Sequence, residues 1–279
     1  AFLRDTDPTV YIRLNTFIMD NDGRNRRRIT NYEGNDRGLA FSPDGAKLIT
    51  SRMPNRGVNA FGLMVVDIKT GTEIRISNLE MRDVDWSPDG KQIIFLNDPF
   101  RVNEHNLWIV NADGTNPRPW IPLKRNVHRG KPRWSPSNQQ ILYTETDLRI
   151  FEQVNEKGQK IISIRPAGTY RYIIRNVNGG GERILDIPKG WWDHSVAWMD
   201  NGEAVLICAF DDVDHIKDQD RSTQLYRYDL ATDEITQLTH SLEYKMYVDW
   251  ISDEVYAVSP VGKYPVLWGE LKKDYSAGR

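Results

Sequence analysis

The chain lacks most of the marks by which sequences announce a chemistry. One cysteine in 279 residues, Cys208, leaves no internal disulfide, and its place in the apolar run AVLICAF reads as that of a small core hydrophobe. There is no excess of charge of either sign: 37 Lys and Arg against 39 Asp and Glu give a net charge of −2, and so no electrostatic pull towards nucleic acid or a charged membrane surface. No apolar run approaches the length of a bilayer span. The patterns GxSxG, HExxH, the P-loop and CxxC are all missing, which removes the commonest signalled hydrolase, metal and nucleotide sites. The five histidines, His105, His128, His194, His215 and His240, are scattered singly. No signal peptide is visible. The chain starts at Ala1, without Met and inside the strand-like AFLR, as expected if an upstream segment has been removed.

What the chain has is repetition. Aligned on an aromatic residue, it reads GLAFSPDGAKLITS around Phe41, VDWSPDGKQIIFLN around Trp86, PRWSPSNQQILYTE around Trp134, VAWMDNGEAVLICA around Trp198 and VDWISDEVYAVS around Trp250. The intervals are 45, 48, 64 and 52 residues. Between these copies recurs an apolar run, in TFIMDNDG, LWIVNADG and YIIRNVNGG ending in an Asp/Asn-Gly turn and in LMVVDIKTG and LYRYDLATDE in a related one, and after it a short segment such as RRRIT or EIRIS.

One such unit reads as four short strands. Pro fixes φ and Gly tolerates positive φ in Ser-Pro-Asp-Gly, so that stretch is a hairpin between a first and a second strand. The third and fourth strands meet at the DG-type turn. A four-stranded antiparallel sheet cannot cover both of its own faces, so neighbouring copies must stack. A period of 40 to 50 residues with four strands each predicts an all-β fold, a single β-propeller over residues 1–279. The inner strands fall near 38–42, 83–87, 131–135, 195–199 and 246–250. The N-terminal AFLR, TFIMDND and RRRIT supply second, third and fourth strands without a first, and MYVDW near the C-terminus is a first strand. Pairing them closes the ring and counts five blades. The tail 255–279 holds two more strand-like segments, and the alternative is six blades, one of them incomplete.

These units resemble the TolB-type propeller repeats, whose copies carry W-S-P-D-G-K, an I-A-F strand and I-Y-V-M-N-A-D-G followed by R-L-T. The segments 41–48, 86–95 and 107–114 match closely, whereas Trp134, Trp198 and Trp250 are followed by SPSN, MDNG and ISDE. The resemblance implies an envelope-associated interaction platform, periplasmic or extracellular. Fold alone does not settle activity.

Two insertions interrupt the regularity. LRIFEQVNEKGQKIISIRPAG adds a hairpin with NEKG as its turn, and FDDVDHIKDQDRST is an acidic loop. Both join a second strand to a third, which places them on the rim where the loops entering the inner strands emerge. Those loops bring Arg37, Arg82, His128, Arg129, Trp191, Trp192, His194, Tyr244 and Tyr247 to one end of a central funnel. Aromatics offer rigid contact area and arginines forked donors for carboxylates or carbonyls. Each of these residues also has an ordinary role as an interblade aromatic or a solvated charge. In the acidic loop Asp211, Asp212 and Asp214 could offer oxygen ligands to Ca²⁺, although the spacing fits no EF-hand and a solvated loop is the plainer reading.

Three functions follow. The first is a non-catalytic binding propeller, a monomer without cofactor, holding a protein segment or a glycan. The second resembles the propeller lyases acting on uronate oligosaccharides, with His128 and His194 sharing a metal. The third is a structural or assembly role.

Overall fold

The computed structural model describes residues 2–5, 14–18, 24–32, 35–53, 62–78, 81–97, 106–154, 158, 160–166, 170–210 and 223–240. Their strands form four blades and a smaller sheet. Blade one is β4 (Asn35–Phe41), β5 (Lys47–Met53), β6 (Gly62–Asp67) and β7 (Glu73–Ser77). Blade two is β8 (Met81–Trp86), β9 (Gln92–Asn97), β10 (Asn106–Asn111) and β11 (Arg118–Pro119). Blade three is β12 (Val127–Trp134), β13 (Gln140–Val154), β15 (Arg171–Asn176) and β16 (Arg183–Ile184), with β14 (Lys160–Pro166) added to β13. Blade four is β17 (Trp192–Met199), β18 (Ala204–Phe210), β19 (Gln224–Asp229) and β20 (Ile235–Gln237). Each is an antiparallel meander, and the N-terminal β1 (Phe2–Asp5), β2 (Leu14–Ile18) and β3 (Arg27–Arg28) form a three-stranded sheet. The chain is an all-β propeller. The fifth inner-strand motif at 246–250 and the tail 255–279 lie outside the described residues, and with them the choice between five and six blades.

The second strands are apolar without alternation because both of their faces are covered. In β9, Ile93 and Phe95 pack with Ile49, Leu63 and Val65 of blade one, and the intervening Ile94 and Leu96 pack with Trp134, Ile141 and Tyr143 of blade three. The same rule joins blades three and four, where Leu142, Tyr172 and Ile174 meet Trp198, Val205 and Ile207. The core is thus a series of layers between sheets, and Trp86, Trp134 and Trp198 are the inner-strand members of those layers.

The recurring Ser-Pro-Asp-Gly is a turn held by its own side chains. In blade one Ser42 N donates to Lys47 O at 2.9 Å, Ser42 Oγ to Asp44 at 2.5 Å, and Asp44 accepts the Ala46 N–H at 3.0 Å. Blade two repeats this with Ser87, Asp89 and Lys91. Gly45 and Gly90 sit at φ 68° and 70°. Where blade three reads SPSN, Asn138 takes the same position at φ 61° and keeps the Asn138 N to Ser135 O bond at 2.9 Å.

The inner strands begin two to four residues before the windows read from sequence, and each carries a β-bulge. The first insertion is the expected hairpin: β13 runs 15 residues and its outer half pairs with β14 from Leu148–Pro166 to Val154–Lys160. Among the described residues no helix is long and apolar enough to cross a membrane.

Candidate functional site

The register places each inner-strand start beside the end of the second strand or, in blade three, beside the point where β13 leaves the blade to form the hairpin with β14. Asn35 pairs with Met53, Met81 with Asn97, Val127 with Asp147 and Trp192 with Phe210. Loops entering the inner strands and connections leaving the second strands therefore share one rim, and the β13–β14 hairpin projects from it.

Just under this rim lies a cross-strand ion pair whose polarity reverses between blades. In blade three, Arg129 is buried and donates from Nε to Glu145 Oε2 at 3.0 Å and from Nη1 to Asn106 Oδ1 at 3.0 Å and Pro122 O at 2.6 Å. Glu145 also receives Arg171 at 2.8 Å and Lys124 at 3.2 Å. Burial opposes the charge on Glu145, but the hydrogen bonds from Arg129 and Lys124 outweigh it and hold the carboxyl below its ordinary range. In blade one the paired positions are Asp36 and Arg52, with Arg52 Nη2 3.0 Å from Asp36 and 2.8 Å from Glu73. There burial prevails and raises the Asp36 carboxyl, although Thr50 and Arg52 favour its charged form. Arg129, expected from sequence to face a ligand, is committed to this internal network.

Trp191 likewise belongs to the layer between blades three and four. It is buried and lies against Tyr226 with ring centroids 4.1 Å apart. The backbones of Trp192 and His194 lie in β17, that of Arg37 in β4 and that of Arg82 in β8; their side chains lie outside the described set. Tyr244, Tyr247, Asp211, Asp212 and Asp214 lie wholly outside the described residues.

His128 stands in a built environment. The inner strands of blades two and three carry non-glycine residues in the left-handed region at their bulges, Asp83 at φ 47° and Lys131 at φ 54°. Bulges re-aim side chains and recur near functional sites. Asp83 Oδ2 accepts the Lys131 N–H at 3.1 Å across the blade boundary. Gly130 lies between, and a β-carbon there would be 3.2 Å from both Asp83 Oδ2 and His128 Nε2. The glycine thus lets an imidazole and a carboxylate from neighbouring blades crowd one point. Lys131 Nζ lies 5.7 Å from the centroid of the Tyr170 ring, a cation–π distance.

Asp83, Lys131 and Tyr170 escaped the sequence reading. A faint signal was present, since Asp83 and Lys131 occupy the repeat position held by Gly38 in blade one. Arg37, Arg82, Gly130 and His194 also share one repeat position, four residues before the aromatic. Among the described residues no three His, Cys, Asp or Glu side chains converge as a metal site would require.

No protein-family profile matches the chain. Over 110 residues it is 29% identical to the uncharacterized peptidase YuxL of Bacillus subtilis, covering 37% of this chain and 16% of that protein. Over 127 residues it is 24% identical to the uncharacterized protein Atu1656 of Agrobacterium fabrum, covering 43% and 40%. The chain therefore spans less than half the length of these curated relatives. Among solved structures, the β-propeller domain of the Trilobed protease from Pyrococcus furiosus superposes with a TM-score of 0.52 at 16% identity, over 83% of this chain and 66% of that one. An oligogalacturonate lyase in complex with manganese gives 0.53 at 16% identity, over 80% and 58%. A putative TolB from Agrobacterium tumefaciens gives 0.48 at 18% identity, over 64% and 58%. At these identities the likeness is one of fold.

Proposed function

We propose that this TolB-like β-propeller is a non-catalytic binding module that holds a protein segment or a glycan at its loop-rich rim. The observation that carries the reading is the bulge cluster of Asp83, His128 and Lys131, set beneath the rim from which both insertions leave. It offers an acceptor and an imidazole that meet at Gly130, with the Lys131 side chain leaving the same bulge towards Tyr170, a combination suited to orienting a polar ligand rather than to any complete catalytic constellation. The resemblance to TolB-type repeats supports work in the cell envelope, in the periplasm or outside the cell.

The test is a thermal-shift series with short peptides and with neutral and acidic oligosaccharides, run on the wild type and on His128→Ala and Lys131→Ala. A ligand that binds only the native state raises the melting temperature. The reading expects a shift in the wild type that shrinks in both variants while their unliganded melting temperatures stay within a few degrees. A shift of equal size in all three proteins would remove the cluster from the site. A shift that needs Mn²⁺ together with a uronate oligomer would replace the binding module with a lyase.

A further inference from the structure

The opposite mouth of the funnel, where the inner strands end in their aromatic residues, holds a separate cavity of about 240 Å³. Residues of all four four-stranded blades line it, among them Phe41, Pro43, Asp85, Arg133, Pro136 and Trp198. We propose that this mouth binds a small ligand that joins a flat apolar ring to a carboxylate.

The apolar half of the ligand follows from the collar. Phe41 is 43% exposed, while the residues at its repeat position, Trp86, Trp134 and Trp198, are 5%, 5% and 7% exposed. Pro43 and Pro136 are exposed beside it. An aromatic ring and two prolines facing a shared space give flat surfaces against which another ring packs with little loss of rotamer freedom.

The acidic half follows from an imbalance of donors over acceptors. Arg133 is half-buried, and among the described residues its guanidinium makes one hydrogen bond, from Nη1 to Pro132 O at 2.9 Å. A guanidinium has five N–H donors in a fork that suits a carboxylate. Asp85, the charge of opposite sign in the lining, already accepts the Trp134 backbone N–H at 2.8 Å. Of the tryptophans in the lining, Trp198 Nε1 donates to Arg133 O at 3.0 Å, and the Trp86 and Trp134 indole nitrogens are buried away from the cavity, with no hydrogen-bond partner among the described residues. A guanidinium with N–H donors to spare at the edge of an apolar space selects an anion. The volume lies below the roughly 300–1,000 Å³ of drug-sized pockets, which limits the occupant to a single ring with a short acidic arm.

The probe is 3-phenylpropionate, with 3-phenylpropionamide as its neutral counterpart, followed by ligand-observed NMR and by the tryptophan fluorescence of the intact chain. A fragment of this size is expected to bind with a dissociation constant on the order of 1 mM. The amide should bind at least about tenfold more weakly, and Arg133→Gln should lower affinity for the carboxylate by a similar factor. Phe41→Ala, a change at an exposed side chain, should weaken both probes with no change in melting temperature. His128→Ala, at the other end of the funnel, should leave both affinities as they are, which separates this site from the rim. Equal binding of acid and amide, unchanged affinity in Arg133→Gln or in Phe41→Ala, or no saturable binding up to about 20 mM would each overturn the proposal.

Discussion

Asp229 accepts the backbone N–H groups of Ala231 and Thr232 at 2.9 and 3.0 Å and an Arg227 donor at 3.0 Å, and these bonds pull its pKa down to about 2. The same device recurs in other turns: the Thr70 N–H lowers Asp67, the Thr115 hydroxyl lowers Asp113, and the serine hydroxyls of the first hairpins lower Asp44 and Asp89. A carboxyl depressed by folding adds stability that is complete above its unfolded value near 3.8 and disappears as pH falls through the folded value. These turn carboxyls are therefore expected to make the melting temperature drop steeply as pH falls below about 4 towards 2. Asp229→Asn should be less stable than wild type at pH 6, with most of that gap gone by pH 2, as read by circular dichroism melts. A gap of constant size across that range would mean that the carboxylate charge is not what holds the turn. A second test at this scale concerns Arg129. Arg129→Met leaves buried Glu145 with fewer partners and is expected to cost about 3 kcal/mol in urea unfolding. The double change with Glu145→Leu should recover part of it, the part due to an unpaired buried carboxylate, and not the bonds that Arg129 gives Asn106 and Pro122. This pair also shows where sequence reading stops. Nothing within the loop KRNVHRGK reveals that Arg129 turns inward, because its partner is supplied by the cross-strand register with Glu145, 16 residues away. Trp191 was ambiguous for the same reason: in KGWWDHS two adjacent tryptophans carry no periodicity that separates a core ring from a rim ring.

The repeat made the elements legible and hid their irregularities. Ser-Pro-Asp-Gly announced the first hairpins because each of its residues has a separate backbone duty, and the non-alternating second strands followed from a sheet covered on both faces. The bulges left no comparable mark, since an extra residue in a strand needs neither Gly nor Pro when a neighbouring group such as Asp83 ties the distorted backbone. The departure from the repeat at SPSN turned out to be small, because asparagine enters the left-handed region at modest cost and Asn138 does what glycine does in blade two. Gly90→Val, which forces a β-branched residue to φ near 70°, is expected to destabilise by about 1–2 kcal/mol. Asn138→Gly should stay within about 1 kcal/mol of wild type. Comparable losses at the two positions in urea titrations would show that the side chains, and not the backbone conformation, set the cost.

At the scale of the whole molecule each blade is stable only because it has a neighbour on both sides. The three-stranded sheet β1–β3 is the neighbour of blade one. Thr16 Oγ1 donates to Asp36 O at 3.2 Å in the first inner strand, and Arg27 Nη1 donates to Ile68 O at 2.7 Å beside the outer turn of the same blade. Asn15, Thr16 and Thr30 are fully buried in that contact region. At the other end of the described series, Ala197, Met199, Ala204 and Leu206 are buried on the face of blade four turned away from blade three. An apolar face open to water is expensive, so the cover that β1–β3 gives blade one is part of what holds that blade together. Deleting residues 1–32 should therefore act beyond the strands it removes. It uncovers one side of blade one, and the loss of several kcal/mol of packing is expected to lower the melting temperature by on the order of 10 °C. Amide exchange distinguishes the two ways this can happen. In a ring that unfolds as a unit, protection falls together in β4–β7 and in β17–β20. In a stack of independent blades it falls in β4–β7 alone, and an unchanged melting temperature would show that the three-stranded sheet adds nothing to the propeller.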